Sequence, residues 1–134
     1  MYVYPVIFTP IEEGGYCVYA PDIKGCITEA DNFAEGIAKI RDGICGMLYI
    51  LERDNQPIPE PTDVFLVKRE KNDIVTLVDA PLEEYRRRVG SKAVRRTISI
   101  PEWLDKLAMQ SNISLSQITQ KAIKDELQLV DYHN

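Results

Sequence analysis

Histidine is almost missing from this 134-residue sequence, and the one present, His133, stands next to the last position. Ser-His-Asp, Cys-His and His-ligated metal chemistry each need a positioned imidazole, so all three are disfavoured. Neither G-x-x-x-x-G-K-S/T nor G-x-G-x-x-G occurs, and no phosphate-cradling loop is signalled. Cysteine is scarce too: Cys17, Cys26 and Cys45 are odd in number and lack C-x-x-C spacing, against both a disulfide framework and a zinc site. They read as small buried hydrophobes. No apolar run approaches the roughly 18 residues of a membrane span. The opening MYVYPVIFTP lacks the basic start and apolar core of a secretory signal, so a cytoplasmic location is expected. Acids are plentiful, yet only Glu29 and Asp31 stand together near a strand end, too few for a two-metal carboxylate site. No metal and no cofactor are expected, and an enzyme is disfavoured before any fold is considered.

What is present is an ordinary globular composition, 45% hydrophobic and 28% charged, with an uneven charge. Residues 1–90 hold ten Lys and Arg against sixteen Asp and Glu, a net of −6, whereas residues 91–134 hold six against five. Within 85–100, Arg86, Arg87, Arg88, Lys92, Arg95 and Arg96 face no acid in the local sequence. An acidic body joined to a segment that starts basic suggests two modules with different partners.

Residues 2–10 and 15–20 are rich in β-branched and aromatic side chains around Ile11-Glu12-Glu13-Gly14, a hairpin pattern. Pro5 demotes the first run toward an edge or a bulge. A third strand is expected from Cys26 to Ala30, followed by Asp31 as N-cap with Glu35 in the first helical turn. Phe33, Ile37, Ile40, Ile44, Met47, Leu48 and Leu51 recur at helical spacing up to about Arg53. Gly36, Gly43 and Gly46 weaken that helix, which therefore needs tertiary packing. Prolines 57, 59 and 61 make an extended loop. Two more strands are expected at Val64–Lys68 and Ile74–Asp79, then a short helix Pro81–Arg88 and a hinge at Gly90-Ser91-Lys92. The order βββαββ predicts an α+β domain over residues 1–90, one long helix covering an antiparallel sheet.

Beyond Gly90 the pattern changes. From Thr97 the chain alternates strictly, so Ile98 and Ile100 share one face of a strand, and Arg95, Thr97 and Ser99 the other. Pro101 is expected as a first helical residue, with Trp103, Leu104, Leu107 and Ala108 as the apolar side. Asn112 suits the left-handed helix end. Ser114-x-x-Gln117 makes a capping box for a second helix bearing Leu115, Ile118, Ala122, Ile123, Leu127 and Val130. One strand cannot satisfy its own backbone groups, and two such helices enclose little core. Both problems vanish if two chains pair strands into an antiparallel ribbon and interlock helices over a core of Ile98, Ile100, Leu104, Leu107 and Ile118. Such a ribbon fits the major groove of DNA.

The stretch RRTISIPEWLDKLAMQSNISLSQITQKAIKDEL resembles the ribbon-helix-helix repressors. That resemblance implies that Arg95, Thr97 and Ser99 face bases and that Ser114, Ser116 and nearby amides anchor a phosphate at the second helix, and Lys92, just ahead of the stretch, is expected to meet a phosphate as well. The stretch YPVIFTPIEEGGYCVYAPDIKGCITEADNFAEGIAKIRDGI, followed by QPIPEPTD, is similar to the HicB antitoxins. The implied fold is a partial ribonuclease H fold without catalytic carboxylates, plus a C-terminal ribbon-helix-helix dimerisation module at 91–134. The implied function is binding and inhibition of a basic HicA toxin, an mRNA-cleaving ribonuclease, with repression of the operon through operator DNA. Tyr16, Tyr19, Asp22, Glu29 and Asp31 are the candidate toxin contacts. The competing readings are a ligand-sensing ribbon-helix-helix repressor without a toxin, and a nuclease.

Overall fold

A computed structural model describes residues 1–130, so His133 lies outside the described residues. The chain divides into two compact units, Met1–Ser91 and a second beginning at Lys92.

In the first unit, β1 (Tyr2–Pro10), β2 (Tyr16–Tyr19), β3 (Ile27–Ala30) and β4 (Ile74–Ala80) form one antiparallel sheet in the order β3-β2-β1-β4. The turn from β1 to β2 is closed by Ile11 N–H to Gly15 O at 3.0 Å. Gly15 has φ +79°, and a Cβ there would stand 2.7 Å from the Ala30 carbonyl, so only glycine fits. Strand alternation sends Tyr4, Val6, Phe8, Val18 and Val78 to one face, where α1 (Phe33–Arg53) supplies Ile40, Ile44, Cys45 and Leu48. Each large apolar side chain buried here contributes up to about 1.5–3 kcal/mol of transfer free energy.

The structure corrects four local expectations. β1 is central, not an edge, but β2 pairs with it only from Ile7 onward, so Pro5 stands where β4 is the sole neighbour and its missing N–H is tolerated. The cap of α1 is Asn32, not Asp31: the Asn32 side chain accepts the Glu35 N–H at 2.9 Å, and the Glu35 carboxylate accepts the Asp31 N–H at 3.0 Å. Val64–Lys68 is not a strand; Val64–Leu66 is a single 3-10 turn, because Asp63 takes the Phe65 N–H on its side chain and the Leu66 N–H on its carbonyl, leaving neither for a ladder. The first unit thus holds four strands, and a short helix α2 (Leu82–Val89) closes it. Its arginines do face acids: Arg86 pairs with Glu52 of α1 at 3.1 Å, Arg87 with Glu83 at 3.2 Å, and Arg88 with Asp42 of α1. The basic run of the sequence therefore dissolves in space, leaving Lys92, Arg95 and Arg96.

The second unit contains α3 (Glu102–Gln110) and α4 (Leu115–Glu126). Pro101 stands at the N-cap position of α3, with ψ 143°, so the helix starts at Glu102, one residue later than expected. Asn112, at φ +54°, ends α3 with Ile113 N–H on Ala108 O and Asn112 N–H on Met109 O, both at 3.2 Å, a Schellman arrangement. α4 stops at Glu126, so Leu127 and Val130 lie beyond the helix expected to carry them. Residues 92–100 carry no strand in the single chain.

Candidate functional site

In the second unit, Arg95, Thr97, Ser99, Ile98 and Ile100 all lie on the exposed, unladdered segment that leads into α3. Ser114 caps α4, its Oγ accepting the Gln117 N–H at 3.3 Å, and Ser116 is exposed in the first turn. A hydroxyl that accepts through a lone pair still has a proton to donate, so the cap is compatible with an anion at this helix start. The apolar faces of α3 and α4 are exposed at Leu104, Leu107 and Ile118.

The five toxin-contact candidates of the first unit do not form one surface. Tyr16 lies on the α1 side of the sheet, stacked on Phe33 with ring centroids 4.6 Å apart and edge-on to Phe8 at 5.8 Å. Asp31 is exposed beside it, past the end of β3. Tyr19 and Glu29 belong to the opposite face, since strand side chains alternate and Tyr19 pairs with Ile27 while Cys17 pairs with Glu29. Burial, and then the charge of Asp73, pushes the Tyr19 hydroxyl above its ordinary pKa. Asp22 already has structural work: its carboxylate accepts the Thr62 N–H at 2.9 Å and hydroxyl at 2.5 Å, pinning the proline loop. Tyr4 holds the same loop by donating to the Pro59 carbonyl at 2.7 Å.

Around the start of α1, Lys39 lies 2.7 Å from Glu35, and this hydrogen bond, followed by that from the Asp31 amide, holds the Glu35 carboxyl below its usual range. Burial raises the thiols of Cys26 and Cys45, the latter to about 11, so neither is a nucleophile at neutral pH. Among the described residues, no group of three or more His, Cys, Asp or Glu is placed to hold a metal, and no helix is long and apolar enough to cross a membrane. Two exposed side chains that the sequence reading passed over are Phe65 and Leu66, hidden in what looked like a strand. The available signal was Asp63 directly before an apolar triplet, a side-chain cap for a tight turn.

These features define a small two-unit α+β protein: an acidic sheet-and-helix unit, then a pair of helices with an uncovered apolar face. The chain belongs to the family of HicB-like antitoxins of bacterial toxin–antitoxin systems, whose sequence pattern matches residues 4–128. It is 31% identical to the antitoxin HicB of Escherichia coli K12 over 95% of this chain and 97% of that protein. It is 38% identical to antitoxin HicB 1 of Photorhabdus laumondii, over 46% of this chain and 39% of that one. In structure it is similar to a chain of a toxin–antitoxin complex from Streptococcus pneumoniae, with TM-score 0.61 and 20% identity over 93% of this chain and 98% of that chain.

Proposed function

We propose that this chain neutralises a HicA-type toxin ribonuclease through residues 1–90 and represses its own operon through residues 91–134, which pair with a second copy as a ribbon-helix-helix module on operator DNA. Membership of the antitoxin family supports the first half, and so does the net charge of −6 over residues 1–90, which suits a basic partner. The observation that carries the second half is the uncovered apolar set Ile98, Leu104, Leu107 and Ile118, 59, 41, 51 and 49% exposed in the single chain. A row of exposed apolar side chains on a small helical pair marks an interaction surface, and a second copy that covers it stabilises both chains by mass action. Pairing residues 95–100 across two chains supplies the missing backbone partners and turns Arg95, Thr97 and Ser99 outward together.

The test is co-expression with the product of the neighbouring gene, read by growth and co-purification, together with a gel shift on the DNA upstream of the two genes. Rescue, a stable complex and a specific shift are expected. Growth arrest that persists with soluble antitoxin present overturns the toxin assignment, and no shift at low salt overturns the DNA assignment.

A further inference from the structure

The loop between α1 and β4 is tied down by hydrogen bonds along its length while presenting two large apolar side chains to solvent. Phe65 is 88% exposed and its neighbour Leu66 74%. The turn that carries them is fixed by Asp63, whose side chain accepts the Phe65 N–H at 2.9 Å and whose carbonyl accepts the Leu66 N–H at 2.8 Å. Arg69 donates to the Val64 carbonyl at 2.6 Å from the far side, and Val67 is buried beneath. Upstream, the Thr62–Asp22 and Tyr4–Pro59 hydrogen bonds tie the proline loop to the sheet unit. Scattered exposed hydrophobes are ordinary on any surface. An adjacent Phe and Leu on a turn whose backbone is hydrogen-bonded at both ends are different, because the backbone part of their ordering cost on binding is already met.

We infer that Phe65 and Leu66 are the anchor of the toxin interface, entering an apolar pocket on a basic protein partner. This rests on the antitoxin reading above. Charge selects the occupant: Glu60 and Asp63 precede the turn and Lys68, Arg69 and Lys71 follow it, so the turn itself is balanced, but the unit that carries it has a net charge of −6. A basic partner is attracted to this unit as a whole, whereas a second copy of the unit brings like net charge and is repelled. Aromatic anchors seated in such pockets carry a disproportionate share of interface energy. The surface also lies apart in sequence from the segment proposed to read DNA, so one chain can use both.

The test compares the full-length wild type with Phe65→Ser/Leu66→Ser, Phe65→Leu and Ile27→Ser, the last at another exposed apolar site, 64% exposed on β3. The probe is the HicA-type product of the neighbouring gene, made as a variant that no longer cleaves RNA, and affinity is measured by calorimetry. Circular dichroism and sedimentation are run on every variant. The double variant should bind about 30-fold or more weakly, with fold and oligomeric mass unchanged, Phe65→Leu should lose about three- to tenfold, and Ile27→Ser should stay within about threefold. Binding by the double variant within threefold of wild type overturns the inference and leaves the antitoxin reading standing. A change in oligomeric mass with toxin binding intact also overturns it, by assigning the turn to contacts between copies. No binding by the wild type overturns the antitoxin reading itself, and this inference with it.

Discussion

Thr97 and Ser99 alternate with Ile98 and Ile100, and it is this period of two, more than the basic residues nearby, on which the proposed base-reading role rests. Replacing Thr97 or Ser99 with alanine should cost about 1–3 kcal/mol on the cognate operator and much less on random DNA. Lys92→Ala should weaken both and lower the salt slope by about one. Fluorescence anisotropy across a salt series separates the two patterns, and equal losses on both DNAs for all three variants would remove the assignment. Cys45 makes a different prediction. Burial raises its thiol from the ordinary 9.0 to about 11, so the folded state favours the protonated form. Its contribution to stability is full below pH 9 and is lost as pH rises toward 11. Iodoacetamide at pH 8 should therefore modify half-buried Cys17 first and spare Cys26 and Cys45 until the chain unfolds, as mass spectrometry of the native protein can show.

At the scale of elements, α1 is a helix whose glycine serves packing. A Cβ on Gly36 would collide with the ring of Phe8 and stand 3.2 Å from Val18 Cγ2, both on the covered face of the sheet. Gly36→Ala would gain helix propensity, worth about 1 kcal/mol. It should nonetheless lower stability by about 1–3 kcal/mol, because Phe8 is wholly buried and has nowhere to move. Urea unfolding followed by circular dichroism decides between the two effects, and a more stable variant would mean that α1 can ride away from the sheet. α2 docks on α1 through a different mixture: Tyr85 packs edge-on against Tyr49 at 5.8 Å, and Arg88 lies 5.1 Å over the Tyr85 ring. Its exposed ion pairs to Glu52 and Asp42 add little individually, so the aromatic contacts dominate that seam.

For the whole molecule, all the core residues from Tyr4 to Leu82 belong to the first unit, which therefore has what it needs to fold alone. A 1–90 fragment should keep toxin binding, weakened where dimer avidity is lost, and should show no specific operator binding. In the full chain, Ile98→Asp places a charge in the proposed inter-chain core, where its desolvation is costly. That variant should sediment as a monomer, lose operator binding and still co-purify with toxin. If residues 91–134 rescue growth from the toxin and 1–90 do not, the two roles are assigned to the wrong halves.

Local patterns in the sequence were enough for the hairpin of β1 and β2, the extent of α1, the proline loop, β4, and the left-handed Asn112 and Ser114 cap between α3 and α4, because each depends on contacts a few residues apart. The acidic charge of residues 1–90 and the alternation around Ile98 were legible for the same reason. Contacts distant in sequence decided the rest. The central place of β1 depends on β4, some 70 residues onward, which pairs along nearly its whole length. The Arg86 and Arg88 pairs join positions 34 and 46 residues apart, turning a basic run into a neutral seam. Asp22 became a loop anchor only because Thr62 folds back onto it, and the same fold turned an apparent strand at 64–68 into a turn with Phe65 and Leu66 in water. Local propensity records what a backbone can do, and only the tertiary fold determines which side chains remain available for a partner.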